Sequence, residues 1–341
     1  MSRVRYHVSS SVASRAPDGA TDEPLDEAFA RAVVEGLSAP QKALSSAWFY
    51  DDEGSRLFQE IMALDSYYLT RTEHAILRGR GDELARRIAP DARPVDLIEL
   101  GSGDGEKSLS LCEALARRGA QCVFKPMDIS SHALEQLSQR FAEHLPGFPV
   151  QPLCGDYFLN WPATDPGRRQ VAMFLGSNLG NQTHDGAIAL LRRMRAHLRP
   201  GDALVLGLDL KKDPHVIRAA YDDPEGVTAR FNMNLLTRLN RELGMDFDLD
   251  QFSHYATYSP LDGAARSFIV SRRRQIVHSR RLACDFAFQA GETIYTEQSQ
   301  KYSQGMIDAM ARESGFDVQC HFTDERGWYT VVVWQAIDAA A

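Results

Sequence analysis

The chain has 341 residues, more than the ~250–300 that one hydrophobic core usually serves, so its length predicts two domains or one domain with a large insertion. Its hydrophobic fraction of 44% is ordinary for a soluble protein, and its net charge of −8 argues against nucleic acid or an anionic membrane surface as a partner. No apolar run approaches the ~18 residues of a membrane-spanning helix. The five cysteines form no Cys-x-x-Cys pair and the ten histidines form no His-x-x-x-His pair, so we expect a reducing, cytoplasmic location and no bound metal.

The N-terminal segment lacks the strand–helix alternation of a parallel sheet. A frayed tail is predicted at the N-terminus, followed by helices over Leu25–Leu37 and Gly54–Leu64. From about 94 to 210, short apolar runs alternate with helical patterns, which is typical of a parallel sheet with crossover helices. The predicted strands are Val95–Leu100, Cys122–Asp128, Val150–Cys154, Val171–Leu175 and Ala203–Asp209, and the predicted helices are Glu106–Arg118, Ser131–His144 and Asp185–Leu198.

After Asp209 this alternation stops. A helix is predicted over Arg230–Leu243 and a strand-like run over Ser267–Val277; a last helix, Tyr302–Ser314, then precedes two strands joined by a polar turn, Phe316–Phe322 and Trp328–Ala336. We therefore predict an α/β fold, with a mostly parallel Rossmann-like sheet that ends in an antiparallel hairpin and a second, α+β domain that binds the substrate. The predicted boundaries are 1–72 and 212–301 for the substrate-binding domain, and 73–211 and 302–341 for the Rossmann-like domain.

A glycine-rich loop follows the first predicted strand of the sheet and opens a helix. It reads Glu99-Leu-Gly-Ser-Gly-Asp-Gly-Glu-Lys107, with glycines at 101, 103 and 105. A phosphate-binding P-loop and a dinucleotide-binding loop would both need glycine where Glu106 stands, and a carboxylate there would repel phosphate. The remaining pattern, Glu-x-Gly-x-Gly-x-Gly, resembles the first motif of class I methyltransferases. These enzymes bind S-adenosylmethionine, which carries no phosphate and whose cationic groups tolerate an acidic loop.

Further polar residues follow the next two predicted strands. Asp128 ends the second strand, where a carboxylate can accept both ribose hydroxyls, and Asp156 with Tyr157 follows the third, where they suit an adenine edge and face. Each of these alone is more often a turn or capping residue. Their occurrence at successive strand ends of one sheet indicates a nucleoside site, since ligands collect at that edge.

Five motifs together resemble the histidine-specific Nα-methyltransferase family, whose bacterial and fungal members make histidine betaine (hercynine) for ergothioneine. They are Trp48-Phe-Tyr-Asp, Tyr67-Tyr-x-Thr-Arg, Gly176-Ser-x-x-Gly-Asn, Asn240-Arg-Glu-Leu and Thr296-Glu-x-Ser-x-Lys, and the resemblance runs from about 40 to the C-terminus. It implies a class I methyltransferase fold, S-adenosylmethionine as methyl donor and L-histidine as acceptor. The implied roles are Gly101, Gly103, Lys107, Asp128, Asp156 and Tyr157 for S-adenosylmethionine; Tyr67, Asn181 and Tyr221 for the charged end of the amino acid; Glu297 and Ser299 for the imidazole; and Tyr50 near the amine, which Tyr50 and Asn181 would position.

The residue chemistry agrees with these implied roles. An anionic Glu297 beside an imidazole would favour the protonated ring and accept its N–H, while Ser299 could meet the second nitrogen. An α-amine with a reference pKa near ~8 needs little help to lose its proton, and no dedicated base is assigned. Aromatic faces such as that of Tyr50 suit the quaternary ammonium that three successive methyl transfers would produce.

Two departures from the family pattern leave the acceptor open. Asn178 stands where a threonine is typical, and 264–268, including Ser267, stands where the family has a methionine-centred segment. A changed wall would suit another aromatic amino acid such as tryptophan, whereas Glu297 and Ser299 favour histidine. A P-loop nucleotide enzyme and a non-catalytic protein that binds S-adenosylmethionine are the alternatives from other classes. We expect a monomer.

Overall fold

The computed structural model describes residues 25–163 and 165–338. The predicted N-terminal tail lies outside the described residues. Within the described ranges, no helix has the length and apolar character needed to cross a membrane.

A seven-stranded sheet forms the larger half of the molecule, in the order β11-β12-β5-β4-β1-β2-β3. Strands β1 to β5 pair in parallel, whereas β12 is antiparallel to both β5 and β11. This is the predicted mostly parallel sheet with a C-terminal antiparallel hairpin, so the predicted fold class is confirmed. The strands are β1 (Val95–Leu100), β2 (Cys122–Asp128), β3 (Leu153–Cys154), β4 (Arg169–Phe174), β5 (Ala203–Asp209), β11 (Phe316–Thr323) and β12 (Tyr329–Ala336).

Helices cover both faces of this sheet, because each helix has one apolar stripe to bury. The residues of α3, α4, α5 and α6 share a core with one face, and those of α7 and α10 share a core with the other. The helices of the chain are α1 (Glu27–Ser38), α2 (Asp52–Ala63), α3 (Tyr68–Gly79), α4 (Gly81–Ile88), α5 (Glu106–Arg117), α6 (Ser131–His144), α7 (His184–His197), α8 (Pro214–Ala219), α9 (Val227–Leu243) and α10 (Gln304–Glu313).

A smaller antiparallel sheet, in the order β10-β7-β6, and a separate hairpin of β8 and β9 make up the other half. Apolar residues of α1, α2 and α9 pack against these strands in one core. The strands are β6 (Phe252–Ser259), β7 (Ala264–Ser271), β8 (Gln275–Ser279), β9 (Cys284–Phe288) and β10 (Thr293–Gln300). The domain boundaries stay a prediction. The predicted boundary between residues 72 and 73 lies inside α3, and Tyr68, in the first turn of that helix, packs in the core of the large sheet.

Two predicted strands were wrong in extent. Only Leu153–Cys154 of the third strand pairs along β2, because Pro152 has no N–H to donate and Val150 forms an isolated bridge with Phe124. The run Ser267–Val277 is two strands, since the chain bends at 272–273. There the Ser271 hydroxyl bonds the carbonyl of Arg273 at 2.9 Å and ends β7.

Candidate active site

The glycine loop lies at the carboxyl edge of the large sheet, between β1 and α5. Gly101, Gly103 and Gly105 have φ angles of 70°, 54° and 70°, a left-handed backbone that side chains other than glycine rarely adopt. A Cβ on Gly105 would also lie 2.6 Å from Cγ of Leu137. The loop therefore keeps its backbone open to a ligand, as its sequence predicts.

Asp128 fixes this loop from the end of β2. Its Oδ2 accepts a hydrogen bond from the amide of Gly103 at 2.9 Å, and its Oδ1 accepts one from the amide of Ser130 at 2.9 Å. Each carboxylate oxygen accepts only one of these bonds, so a lone pair remains on each for a ligand hydroxyl. Asp128 thus holds the backbone and stays available to a ligand.

The turn after β3 brings Asp156 and Tyr157 to the same edge. Asp156 is exposed, and its Oδ1 accepts hydrogen bonds from the amides of Phe158 (2.8 Å) and Leu159 (3.1 Å), so part of its carboxylate closes the turn. The pKa of Tyr157 is raised by burial and, to a smaller extent, by the charges of Asp156 and Asp128. Tyr157 therefore stays a neutral phenol close to Asp128.

Lys107, in the first turn of α5, forms an ion pair that sequence reasoning missed. Its Nζ lies 2.7 Å from Oε2 of Glu73, which is 1% exposed and also accepts hydrogen bonds from the amide of Gly176 (2.9 Å) and the hydroxyl of Tyr329 (2.7 Å). Burial alone would lower the pKa of Lys107, but the carboxylate of Glu73 outweighs it and the pKa is raised. The ammonium therefore stays charged beside the loops that follow β1 and β4.

Glu99 adds a buried acid at the end of β1. Its carboxyl group accepts a hydrogen bond from the hydroxyl of Ser108, and burial raises the pKa of Glu99 to about 8. Glu99 is therefore largely protonated at neutral pH, and the loop combines open glycine backbone, the carboxylate of Asp128 and one ammonium, that of Lys107. This donor set suits a nucleoside that bears cationic groups and no phosphate, because carboxylates repel phosphate.

The loop after β4 separates the glycine loop from β10. It contains a short 3₁₀ helix, Asn178–Asn181, which follows the left-handed Ser177 (φ 59°). A Cβ on Gly180 would lie 2.9 Å from the carbonyl oxygen of Gln300, so only glycine permits this close approach. Asn181 is exposed at the end of the 3₁₀ helix, next to β10.

Five aromatic rings from α2, α9 and the loops before α2, before α3 and after α8 form one continuous contact chain, which we call the aromatic wall: Tyr50, Phe58, Phe231, Tyr67 and Tyr221. Tyr50 lies 5.5 Å from Phe58 and 5.7 Å from Phe231, measured between ring centroids. Tyr67 lies 6.3 Å from Phe58 and 6.4 Å from Tyr221. The structure therefore brings together Tyr50, Tyr67 and Tyr221, three predicted site residues from separate segments of the chain. Phe58, which was not predicted, connects Tyr50 to Tyr67.

Strand β10 places polar groups beside this wall. Glu297 and Ser299 alternate with residue 298 and so point to the same face of the strand. In the described part of the chain the Glu297 carboxylate has no hydrogen-bonding partner, and burial raises the pKa of Glu297 to about 7 against the opposing charge of Lys301. The hydroxyl of Tyr221 donates to Oγ of Ser299 at 2.8 Å, which joins the aromatic wall to this strand.

Tyr50 is 48% exposed, more than Tyr67 and Tyr221, the other tyrosines of the aromatic wall. The pKa of its hydroxyl is nevertheless raised, first by burial of the oxygen and then by the charge of Glu297. A phenol with a raised pKa stays neutral at neutral pH. Tyr50 therefore offers the site an aromatic face and a neutral hydroxyl.

The family model for SAM-dependent, histidine-specific methyltransferases matches residues 29–336 of the chain. The chain belongs to this family. It is 38% identical over 300 residues to a histidine N-alpha-methyltransferase of Mycobacterium tuberculosis, an alignment that covers 88% of this chain and 92% of that protein. It is 28% identical over 268 residues to ergothioneine biosynthesis protein 1 of Schizosaccharomyces pombe, with 76% of this chain and 34% of that protein covered.

Among solved structures, magnesium protoporphyrin IX methyltransferase of Synechocystis PCC 6803 has a TM-score of 0.44 and 12% identity, and the superposition covers 84% of this chain and 96% of that one. As a member of this family, the protein is an S-adenosylmethionine-dependent methyltransferase. The predicted family, fold class, enzyme class and methyl donor are therefore confirmed.

A buried ionic cluster behind the aromatic wall was not predicted. Asp209, at the end of β5, is 0% exposed and contacts Nζ of Lys301 at 2.9 Å and Nζ of Lys212 at 2.5 Å. Its Oδ2 also accepts from the hydroxyl of Tyr68 at 2.8 Å. The signal for Lys301 was present in the sequence, because it follows Glu297 and Ser299 at the same spacing of two residues.

A separate cavity of about 160 Å³ lies between α10 and the β11–β12 hairpin, and its lining includes Tyr302 and His321. It contains none of the predicted site residues. The candidate active site is therefore defined by converging strand ends and not by this cavity. In residues 25–163 and 165–338, no group of three or more His, Cys, Asp or Glu side chains is arranged to hold a metal ion.

Proposed function

We propose that this methyltransferase converts L-histidine to Nα,Nα,Nα-trimethylhistidine (hercynine) by three successive methyl transfers, the first step of ergothioneine biosynthesis. One observation carries the choice of acceptor. The half-buried carboxylate of Glu297, which lacks a hydrogen-bonding partner in the described chain, stands beside Ser299 at the end of the aromatic wall. A ligand that covers this carboxylate removes its remaining water, which is costly unless the ligand brings an N–H donor. The names of the mycobacterial and fungal relatives support the same acceptor and pathway.

At the donor end, we assign the methyl donor to the glycine loop. Gly101 and Gly103 would let it approach the main chain, Asp128 would accept its ribose hydroxyls, and Tyr157 with Asp156 would border its adenine. Lys107 would attract its carboxylate while remaining paired with Glu73. The donor supplies a methyl group on a sulfonium, and the acidic groups of the loop favour that positive charge.

At the acceptor end, Tyr67, Asn181 and Tyr221 would hold the ammonium and carboxylate of the amino acid. The hydroxyl of Tyr221 accepts from Nζ of Lys301 at 2.6 Å and gives its only proton to Ser299. It can therefore accept from an ammonium but cannot donate to a carboxylate. The carboxylate would have to be met by true donors, for which the hydroxyl of Tyr67 and the amide of Asn181 are suited.

The chain's main task in the transfer is alignment, because displacement at carbon requires the amine to face the methyl group in line. Tyr50 and Asn181 border the place where the amine would lie. The amine needs little help to lose its proton, since its reference pKa is near ~8. The aromatic wall offers ring faces to the growing ammonium, whose attraction to each face contributes about 0.5–2 kcal/mol.

A mass-spectrometric assay tests the proposal. The protein is incubated with S-adenosylmethionine and, separately, histidine, tryptophan and tyrosine, and products heavier by one, two and three methyl groups are measured. We expect trimethylated histidine as the end product and much slower reaction of the other two. Tryptophan is included because Ser267, the cross-strand partner of Glu297, is a small residue beside the pocket, and because a Psilocybe serbica relative, 24% identical, is named L-tryptophan methyltransferase.

Preferential methylation of tryptophan would overturn the choice of acceptor. Binding of S-adenosylmethionine without transfer to any amino acid would overturn the catalytic proposal. The monomeric state and the cytoplasmic location stay predictions.

A further inference from the structure

The direction of the hydrogen bonds around Ser299 bears on which form of the substrate ring can bind. Nζ of Lys301 lies 2.7 Å from Oγ of Ser299, 2.6 Å from the hydroxyl of Tyr221 and 2.9 Å from Oδ2 of Asp209. An ammonium has three protons and no lone pair, so Lys301 donates in all three contacts. Lys301 is 0% exposed, so no water competes for these protons.

The hydroxyl of Tyr221 accepts from Lys301 and donates its own proton to Oγ of Ser299, 2.8 Å away. Oγ of Ser299 consequently accepts two hydrogen bonds, one from Lys301 and one from Tyr221, and both of its lone pairs are occupied. The proton of Ser299 is left over. It can serve only a group that approaches from outside this cluster.

Glu297 complements this proton from two residues away on the same face of β10. Its carboxylate oxygens have no donor in the described chain, so the pair offers one donor, Ser299, and one acceptor, Glu297. A neutral imidazole has one nitrogen that carries a proton and one that carries a lone pair, and it satisfies both groups. An imidazolium carries a proton on both ring nitrogens, so one ring N–H would face the hydroxyl proton of Ser299. Neither of these two donors would then have an acceptor.

We propose that Lys301, anchored by Asp209, is a positioning residue that directs the Ser299 proton into the acceptor pocket, so that the pocket binds the neutral imidazole ring and discriminates against imidazolium. This inference rests on the proposed function and goes beyond it. It differs from the expectation that Glu297 favours the protonated ring, because the second N–H of an imidazolium would face the Ser299 proton and lack an acceptor.

Other ionisable groups surround this cluster. They are Asp209 on β5, Lys212 after β5, Tyr67 immediately before α3, Tyr68 on α3, Tyr221 after α8, Tyr258 on β6, Tyr50 on the loop before α2 and Glu297 on β10. A single pH profile would mix their effects with those of the ring. A ratio between two ligands that differ only in the ring removes these shared contributions.

The test compares L-histidine with β-(1,2,4-triazol-3-yl)-L-alanine, whose ring also offers one N–H and one lone pair but stays neutral from pH 5.5 to 8. The Kd of each is measured by calorimetry in the presence of S-adenosylhomocysteine, and the histidine Kd is divided by the triazole Kd. Between pH 8 and 5.5 we expect this ratio to rise about tenfold, since only about a tenth of a ring with a pKa near ~6.5 is neutral at pH 5.5. A ratio that stays constant or falls would overturn the proposal.

Variants assign the effect to Lys301. In Lys301→Met, Ser299 regains a free lone pair, and we expect the rise in the ratio to shrink below about threefold. The matched control is Lys212→Met, which removes the other lysine from Asp209 but leaves both donors of Ser299 in place; there the tenfold rise should persist. Retention of the full rise in Lys301→Met, or its loss in Lys212→Met, would overturn the role of Lys301.

The thermal midpoint of Lys301→Met and its affinity for S-adenosylhomocysteine show whether that variant folds. If it does not fold, Ser299→Ala is used in its place. It removes the proton itself, so the ratio should again become flat, and a persistent rise would contradict the proposal. Failure of the proposed function is recognised separately, because wild-type protein would then neither bind nor methylate histidine. In that event the present inference falls with it; normal methylation with a flat ratio removes this inference alone.

Discussion

Replacement of Glu297 provides a graded test of the imidazole end of the site. The Glu297 carboxylate has no hydrogen-bonding partner in the described chain. When it is removed, a bound imidazole therefore loses one hydrogen bond and the protein supplies no replacement. A hydrogen bond to a charged group contributes about 1.5–3 kcal/mol, so Glu297→Ala should raise the Kd of histidine about 10–150-fold. Glu297→Gln keeps an acceptor without the charge, and because neutral hydrogen bonds are about half as strong, its Kd should rise only about 3–10-fold.

The pH dependence sharpens this prediction. Burial raises the pKa of Glu297 to about 7, so the carboxyl group is ionised at pH 8 and largely protonated at pH 6. The penalty of Glu297→Ala should therefore be largest at pH 8 and become smaller as the pH falls through 7. The assay is calorimetric titration of histidine in the presence of S-adenosylhomocysteine, with the affinity for S-adenosylhomocysteine measured alongside.

Glu292→Gln is a matched control, because Glu292 immediately precedes β10 but pairs with Lys42 at 2.9 Å, away from the aromatic wall. It should change histidine affinity by less than about twofold. The reasoning is refuted if Glu297→Ala leaves histidine affinity unchanged. It is also refuted if affinity for S-adenosylhomocysteine falls by the same factor, since Glu297 would then act on the fold or on the donor site.

Three further predictions concern the donor end. Asp128→Ala should raise the Kd of S-adenosylhomocysteine at least about tenfold by calorimetry, and an unchanged Kd would contradict the ribose role. Lys107→Met leaves the buried Glu73 without its cation, so urea denaturation should show a loss of about 3 kcal/mol; a loss below about 1 kcal/mol would mean that solvent screens the pair. Burial raises the pKa of Glu99 to about 8, so the stability it contributes when protonated is lost as the pH rises through 8. Glu99→Gln should therefore gain stability relative to wild type between pH 5 and 9, and a constant difference would refute this.

The large sheet was predictable because its local signals agree with its tertiary environment. Strands such as Val95–Leu100 and Ala203–Asp209 are mostly apolar and are buried on both faces, so their bounds coincide with the prediction. The third strand and the Ser267–Val277 run failed for local reasons that periodicity does not detect, a proline without an N–H and a serine that bonds across a bend.

The candidate site was predictable only in part. Residues at strand ends, such as Asp128, follow from the rule that ligands collect at the carboxyl edge of a parallel sheet. Glu297, by contrast, sits between polar neighbours and was singled out only by the family resemblance. The Asp209–Lys301 pair joins residues that are far apart in the chain. The sequence next to either residue gives no sign that the other one balances its charge. Such partners follow from tertiary structure, which brings β5 and β10 together.

The most direct measurement is a crystal structure of the protein with S-adenosylhomocysteine and L-histidine bound together. The account predicts the nucleoside against the glycine loop and Asp128, and the imidazole with one nitrogen at Glu297 and the other at Ser299. The α-amine should then lie beside Tyr50 and face the sulfur of the nucleoside. A histidine bound with its ring away from β10, or a glycine loop closed against the nucleoside, would contradict the account.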